Sequence, residues 1–251
     1  MINYNKLLNN LDDLKLTAVK ANLPNYIDMV TNKDKSFIDA LYELTEKEKS
    51  SRNERLLNNS VKTAGFPFFK RVNDYDFSFQ PSIDKEEIND LISLRFIENN
   101  ENILLVGSPG TGKTHLAIAI GIEAALKRYS VHFVSCQNLL SDLLTAEEEN
   151  RLEKRLKQYT RYKVLIIDEI GYLNLDNKAA NLFFQLISRR YERRSTIITT
   201  NKALSKWAEI FNDAIITNAI LDRLLHHSHI VNIVGPSYRI KDILSKIEES
   251  D

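Results

Sequence analysis

The stretch that decides the fold of this 251-residue chain is GSPGTGKTHLA, residues 107–117. It fits the pattern Gly-x-x-x-x-Gly-Lys-Thr, and it lies between a strand-like run, NILLV, and a helical run, THLAIAIGIEAALKR. Glycines let the backbone bend until successive N–H groups point at phosphate oxygens, and the dipole of the following helix reinforces the attraction. The sequence therefore predicts a phosphate-binding loop at the start of a helix.

Two side chains of this loop have separate expected tasks. Lys113 can reach the β- and γ-phosphates of a nucleotide, and the hydroxyl of Thr114 can hold Mg²⁺. We expect the nucleotide to be bound by the whole loop, which consists of Gly107, Ser108, Pro109, Gly110, Thr111, Gly112, Lys113, Thr114 and His115.

Five short apolar runs from residue 102 onwards alternate, for the most part, with longer helical segments. The runs are β-branched and apolar on both faces, as strands buried in a parallel sheet are. Asp176 is the expected N-cap of the helix over residues 176–193. The alternation predicts an α/β fold with a parallel five-stranded sheet between helices. The runs are NILLVG (102–107), VHFVSC (131–136), KVLIID (163–168), STIITTN (195–201) and HIVNIV (229–234).

Polar side chains end two of these runs. The segment VLIIDEIGYL, residues 164–173, places Asp168 and Glu169 after a buried strand, where adjacent charges are costly unless they have a function. Asp168 can help to hold Mg²⁺, directly or through water, and Glu169 can orient and deprotonate an attacking water. Asn201 can contact the γ-phosphate and that water, although asparagine is also common at strand ends.

Residues 1–65 have helical periodicity and no chemical motif. Apolar residues recur three and four apart within residues 7–14 and again within 37–44. We expect Pro24 to break the first run and Gly65 to cap the last helix. The segment is either a small helical bundle with ordinary core stripes or a module for oligomerisation or partner docking.

An aromatic segment, FPFFKRVNDYDFSFQPSIDK, forms the expected linker at residues 66–85. Its six aromatic residues suggest an extended chain pressed onto a core. Stacking with a nucleotide base and plain aromatic packing account for them equally well. The nucleotide-binding domain then covers residues 86–251.

Composition excludes several classes of protein. Lys plus Arg and Asp plus Glu number 34 each, so any nucleic-acid surface has to be a local patch. The single cysteine, Cys136, excludes an intrachain disulfide and fits a reducing compartment. Two aspartates interrupt the N-terminal apolar run, and no run approaches the roughly 20 residues of a membrane helix. We expect a soluble, cytoplasmic protein without a membrane partner.

The motifs together resemble those of a known family. GSPGTGKTHLA, LIIDEIGYL, ITTN, AILDRLLHHSH and GPSYRIKD occur in the order expected of AAA+ P-loop ATPases, and they are most similar to the IstB family. That family contains transposition helper ATPases of insertion sequences and is related to the DnaC helicase loader. The resemblance implies ATP and Mg²⁺ as cofactors and a set of catalytic residues. These are Lys113 of Walker A, Asp168 and Glu169 of Walker B, Asn201 as sensor 1, Arg223 as arginine finger and Arg239 as sensor 2.

The resemblance also implies a function. ATP would drive assembly of the protein on double-stranded DNA, and the assembly would recruit a cognate transposase to its target. An arginine that acts only in trans makes hydrolysis conditional on a homo-oligomer, although without the family Arg223 and Arg239 are equally well surface arginines. Two alternatives remain: a DnaC-like loader that binds single-stranded DNA and a helicase, and a scaffold that binds ATP without turnover.

Two basic clusters are the candidates for DNA contact. RLEKRLKQYTRYK covers residues 151–163 and RRYERR covers 189–194. A solvated helix face also explains such runs, and the EEE at 147–149 weakens the first. Repeated in an assembly, several weak phosphate contacts per subunit add up along DNA. The candidates are Lys154, Arg155, Lys157, Arg161, Arg189, Arg190, Arg193 and Arg194.

The C-terminal part contains two further features. LHHSH at residues 225–229 lacks the i, i+4 histidine spacing of a helical metal site, so we expect helix-end packing rather than a metal. Only 50 residues follow Asn201, which predicts a reduced lid made of one helix over PSYRIKDILSKIEE, residues 236–249.

Overall fold

The computed structural model describes residues 2–171 and 175–241, and the chain divides into two compact units between Asn59 and Ser60. The first unit contains helices α1 (Ile2–Asp13), α2 (Thr17–Thr31) and most of α3 (Phe37–Thr63). Its core consists of Leu11, Val19, Tyr26, Ala40 and Leu44.

A buried carboxylate organises this helical unit. Glu48 of α3 is only 4% exposed, and its Oε2 accepts the backbone N–H groups of Ala18 and Val19 at 2.8 and 3.2 Å. The first N–H groups of a helix have no partner within the helix, so Glu48 caps the start of α2 from another element. The guanidinium groups of Arg52 and Arg55 bind the other oxygen of Glu48, Oε1, and balance its charge.

The expected break at Pro24 is wrong. Pro24 lies inside α2, and the chain instead turns before Thr17, where Lys15 adopts a left-handed φ of 55°. Proline removes one helical hydrogen bond. Val19 and Tyr26 are buried on either side of it, so tertiary packing holds the helix together. Gly65 follows α3 with φ 77°, as expected of a glycine just past a helix end.

The expected core stripes of the first unit are only partly correct. Leu11 and Leu44 are buried, but Phe37 and Ile38 are 69% and 77% exposed. Further apolar side chains of this unit are also exposed: Leu7, Leu14, Leu41 and Tyr42. Periodicity therefore identified the helices but not which apolar face packs inward.

The second unit is built around one parallel sheet in the order β2-β3-β4-β1-β5. All five predicted strands are present, with ends within one or two residues of the expected bounds. The strands are β1 (Asn102–Gly107), β2 (Val131–Ser135), β3 (Val164–Ile170), β4 (Ser195–Thr200) and β5 (Ser228–Ile233).

Eight helices of the described residues accompany the sheet. Asp176 caps the α9 helix as expected, since its side chain accepts the N–H of Ala179. The helices are α4 (Lys85–Ile92), α5 (Arg95–Glu98), α6 (Lys113–Leu126), α7 (Cys136–Glu148), α8 (Leu152–Arg161), α9 (Asn177–Arg190), α10 (Ala208–Phe211) and α11 (Ala214–Leu225). No helix in the described residues is both long and apolar enough to cross a bilayer.

The strands bury both faces, which confirms a sheet between helices. Successive residues of a strand point to opposite sides. Leu104 packs with α7, α9 and α11 in one core cluster, and its neighbours Ile103 and Leu105 pack with α4 and α6 in the other. The linker contributes Tyr75 to the second cluster, with Phe66 and Phe77 packed against it. The expected C-terminal helix over 236–249 lies mostly outside the described residues, which show a 3₁₀ turn at Tyr238–Ile240.

Arg190 belongs to the core of this unit. It is 1% exposed, and its guanidinium donates to the carbonyl oxygens of Tyr159, Tyr162 and Ser195 at 2.8, 3.0 and 2.5 Å. Its Nε donates to the hydroxyl of Thr196. The prediction that Arg190 contacts DNA is therefore wrong, because every nitrogen of its side chain already serves the end of α8 and the start of β4.

We expect Arg190→Met to lower the free energy of unfolding by about 3 kcal/mol, because it leaves buried carbonyl oxygens without donors. The control is Arg189→Met. Arg189 forms a partly exposed pair with Glu153, and its loss should cost less than about 1 kcal/mol. Urea unfolding measures both, and equal losses would contradict the structural role of Arg190.

Candidate nucleotide-binding site

A cleft of about 520 Å³ lies at the carboxyl ends of β1, β3 and β4. These strands are neighbours in the sheet, so residues far apart in the sequence meet at one edge. The phosphate-binding loop forms one wall, the ends of β3 and β4 another, and the linker and residues 238–239 the rest. The predicted residues that line it are Pro109, Gly110, Thr111, Gly112, Lys113, Thr114, His115, Asp168, Glu169, Asn201 and Arg239.

The loop has the geometry of a phosphate cradle. β1 ends at Gly107, Gly112 takes a left-handed φ of 93°, and α6 begins at Lys113 with its free N–H groups at this edge. Lys113 is 9% exposed, and its amine donates to the Ser108 carbonyl at 2.7 Å. Burial lowers the pKa of Lys113 while Asp168 nearby opposes that effect, so an anionic phosphate would stabilise the charged amine.

Tyr75 of the linker holds the loop from outside, and sequence reasoning missed it. Its hydroxyl donates to the Thr111 carbonyl at 2.8 Å, and its ring lies so close to Gly112 that a Cβ there would be 2.5 Å from it. Burial raises the pKa of Tyr75 well above its usual value, so the hydroxyl keeps its proton. One tyrosine among six aromatics of the linker gave no signal of this contact. Next to it, Nε2 of His115 donates to the Arg71 carbonyl at 3.0 Å.

The chain after β5 reaches the same loop. The N–H of Tyr238 donates to the Gly110 carbonyl at 2.9 Å, and Ser237 lies where a side chain on Gly110 would be. Arg239 lines the cleft and is near enough to Lys113 to contribute to the lowering of its pKa. The structure therefore places Arg239 in the cleft, where the family resemblance implies that it lies.

The carboxylate of Asp168 accepts hydrogen bonds from two hydroxyl groups. Thr114 and Thr199 both donate to its Oδ1, at 2.9 and 2.6 Å. Because the Thr114 proton goes to Asp168, the lone pairs of the Thr114 oxygen are left for a cation. A hydroxyl and a 6%-exposed carboxylate at the floor of the cleft are hard oxygen donors, which suit Mg²⁺.

Glu169 is exposed towards the cleft by an unusual backbone conformation. Its φ is 65°, rare for a residue with a side chain, and the register between β3 and β4 shifts between Ile167 and Ile170. This bulge breaks the alternation of the strand and turns the carboxylate into the cleft. Asn201 directly follows β4, and its buried Oδ1 has no hydrogen-bond partner among the residues that the structure describes, as expected of a group whose partner is a ligand.

Arg223 does not line this cleft. It lies on α11, where its guanidinium stacks over the Phe184 ring at 4.8 Å and donates to the Ala219 carbonyl. A residue that contacts the nucleotide of its own chain has to line the cleft. Every other predicted catalytic residue lines it, whereas Arg223 does not.

The basic candidates differ in their availability. Lys154, Lys157 and Arg161 are exposed on α8 and form no ion pair with any residue in 2–171 or 175–241. Arg155 instead binds Asp142 and packs on the Tyr159 ring, and Arg189 binds Glu153 through two hydrogen bonds. The remaining two, Arg193 and Arg194, follow α9, and Arg193 is the more exposed.

The histidine cluster is divided by the structure. His229 pairs with Glu101 at 2.9 Å, whereas His226 and His227 each lie within 3.7 Å of Glu192. The three exposed side chains of Glu192, His226 and His227 come close enough to share an ion, a neighbourhood that spacing within LHHSH could not show. Tyr191 contacts Nδ1 of His226 at 2.7 Å and occupies one of the nitrogens.

Solved structures share this fold. The DnaC helicase loader superposes with a TM-score of 0.52 at 23% identity, over 69% of this chain and 98% of its own. AMPPCP-bound DnaA from Aquifex aeolicus gives a TM-score of 0.53 at 20% identity, over 71% of this chain and 55% of its own. The fold and the cleft define a P-loop ATPase of the AAA+ class.

Sequence comparison gives the family. The model of the IstB-like ATP binding protein family matches residues 9–245, so the chain belongs to that family. A relative from Bacillus thuringiensis subsp. berliner, named as an ATP-binding protein of insertion sequence IS232, is 53% identical over 97% of both chains. Another from Pseudomonas aeruginosa, named for insertion sequence IS21, is 41% identical over 92% of this chain and 88% of its own.

Proposed function

We propose that the protein assembles on double-stranded DNA when it binds ATP, and that the assembly directs a cognate transposase to target DNA. The observation that carries this proposal is a cleft with every expected ATPase group except one. The missing group, Arg223, lies on another surface of the same chain. A site that lacks its arginine suits an enzyme that another subunit completes.

Within the cleft, each residue has a distinct task. Lys113 and the N–H groups of the loop bind the phosphates, while Thr114 and Asp168 would hold Mg²⁺, which neutralises phosphate charge when bound. Glu169 accepts a proton from the attacking water, and Asn201 orients that water through its Oδ1, which has no partner in residues 2–171 and 175–241. Arg239 adds positive charge beside Lys113.

Arg223 would act on the nucleotide of a neighbouring subunit. Its guanidinium is supported by Phe184 and Ala219, so its orientation is restrained before any partner arrives. Preorganised positive charge at the γ-phosphate favours the transition state of phosphoryl transfer. Hydrolysis would then occur only in the homo-oligomer and would reset the assembly.

DNA contact is assigned to one face of α8. Lys154, Lys157 and Arg161 follow the spacing i, i+3, i+7 and therefore lie on the same side of the helix. Two of the three acidic residues at 147–149 already have basic partners, because Glu147 pairs with Lys178 and Glu149 pairs with Arg151. Such a row can contact phosphates without reading base sequence.

The insertion-sequence relatives support the transposition role. The alternative is a DnaC-like loader that binds single-stranded DNA and a helicase, and the shared fold keeps it as the second candidate. In either role the exposed apolar side chains around Phe37 and Ile38 make the first unit a candidate for oligomerisation or partner docking.

The trans role of Arg223 predicts complementation between two inactive variants. Arg223→Ala should bind ATP but hydrolyse it at least about 100-fold more slowly. Lys113→Ala should fail to bind ATP while keeping its own arginine. When the two variants are mixed on duplex DNA, phosphate release should recover to a substantial fraction of the wild-type rate.

The matched control is the double variant Lys113→Ala/Arg223→Ala. It differs from the complementing partner only at Arg223 and should restore nothing to Arg223→Ala. Equal recovery with both partners, or wild-type hydrolysis by Arg223→Ala alone, would show that the arginine does not act between subunits.

The α8 face predicts a specific salt dependence. Replacement of Lys154, Lys157 and Arg161 by glutamine should weaken duplex binding and lower the slope of log K against log salt by about 0.9 for each lost phosphate contact. The matched single variants are Arg161→Gln, which should lower the slope, and Arg189→Gln, which should not because Glu153 already neutralises Arg189. An unchanged slope in the triple variant would place DNA elsewhere.

A further inference from the structure

Thr199 connects the two carboxylates at the end of β3. Its Oγ1 accepts the backbone N–H of Glu169 at 2.9 Å, and its hydroxyl donates to Oδ1 of Asp168 at 2.6 Å. Thr199 is 1% exposed, and it belongs to β4, the strand that Asn201 follows. One side chain of the neighbouring strand thus contacts both Asp168 and the backbone of Glu169.

The direction of both bonds is fixed by chemistry. A backbone N–H can only donate, so the Thr199 oxygen must accept from Glu169. An ionised carboxylate can only accept, so the single hydroxyl proton of Thr199 must go to Asp168. Among side chains of this size, only threonine and serine can make both bonds at once, and valine of the same shape can make neither.

The contact falls where the backbone is strained. Glu169 has φ 65°, and it lies within the register shift of the β3–β4 ladder between Ile167 and Ile170. A left-handed non-glycine residue costs free energy and persists where its surroundings hold it. The N–H of Glu169 has left the regular strand pairing, and the Thr199 hydroxyl is the acceptor that receives it.

We propose that Thr199 is a positioning residue of this ATPase. It sets the direction of the Glu169 side chain and holds the Asp168 carboxylate against the Thr114 hydroxyl. The proposal rests on the proposed role of Glu169 as the base. Thr199 lines the cleft, but both hydrogen bonds of its hydroxyl go to Asp168 and to the backbone of Glu169. It holds the bulge that directs the Glu169 side chain. Its hydroxyl donates a hydrogen bond to Oδ1 of Asp168, the same oxygen that accepts from Thr114.

The same strand offers a comparison that separates this role from ordinary packing. Thr196 is also 1% exposed and also uses its hydroxyl, as the acceptor for Nε of Arg190. It lies three residues earlier on β4, towards the edge of the sheet opposite the cleft. Thr196→Val therefore removes a buried hydroxyl from the same strand without touching the bulge.

The test compares Thr199→Val, Thr199→Ser and Thr196→Val in the full-length protein on duplex DNA. Thr199→Val should lower kcat by about 10- to 100-fold, because a base that is misdirected loses most of its contribution. The KM for ATP and the Kd for a fluorescent ATP analogue should change by less than about threefold. Thr199→Ser should restore most of kcat, and Thr196→Val should leave kcat near wild type.

Hydrogen exchange gives a measurement that does not depend on turnover. In ¹⁵N-labelled protein, the amide of Glu169 should exchange at least about tenfold faster in Thr199→Val than in wild type, because it loses its acceptor. Thr199→Ser should keep the slow exchange. An unchanged exchange rate or an unchanged kcat in Thr199→Val would overturn the proposal, as would equal losses of kcat in Thr196→Val.

One further variant separates this failure from failure of the proposed function. Glu169→Gln should bind ATP and lose hydrolysis if Glu169 is the base. If Glu169→Gln hydrolyses ATP at the wild-type rate, the role of Glu169 is wrong and the positioning role of Thr199 falls with it. If Glu169→Gln is inactive while Thr199→Val is fully active, only the role of Thr199 is overturned.

Discussion

The structure of the second unit depends on placing a buried ammonium and a buried carboxylate at one edge of a parallel sheet. Lys113 and Asp168 are 9% and 6% exposed, and charges at such depth are costly unless they are paired or bind ions. The arrangement of β1, β3 and β4 as neighbours brings these groups together at the strand ends. Tyr75 from the linker and the N–H of Tyr238 then bind the loop that holds Lys113.

This arrangement ties distant parts of the chain to one cleft. The linker lies on the loop before the sheet begins, and the segment after β5 returns to Gly110. The loop that would bind phosphate therefore contacts segments from both ends of the second unit, at Tyr75 and at Tyr238. Arg223 lies outside the cleft. A single chain with bound nucleotide therefore still lacks this arginine, which the proposed function assigns to a neighbouring subunit.

The sheet and most of the cleft could be predicted because their signals are local. The P-loop spacing, the apolar runs and the DE pair each lie within about ten residues. Contacts between elements could not be read in this way. Thr199 looked like any β-branched residue in a strand, and Arg190 looked like one more basic residue in RRYERR until its four acceptors were seen.

The first unit shows the same limit. Periodicity predicted its helices, but the capping of α2 by Glu48 depends on a residue 30 positions away. The break at Pro24 was wrong because packing of Val19 and Tyr26 outweighs one missing hydrogen bond. Phe37 and Ile38 belong to the apolar repeat of residues 37–44 and yet are exposed, because the spacing of apolar residues gives a face but not its direction.

The most direct measurement is fluorescence anisotropy with ATP present, in which the protein is titrated against a duplex and a single strand of equal length. The proposed function predicts tight binding to the duplex that is lost when ATP is omitted. A preference for the single strand would contradict it and would favour the helicase-loading role instead.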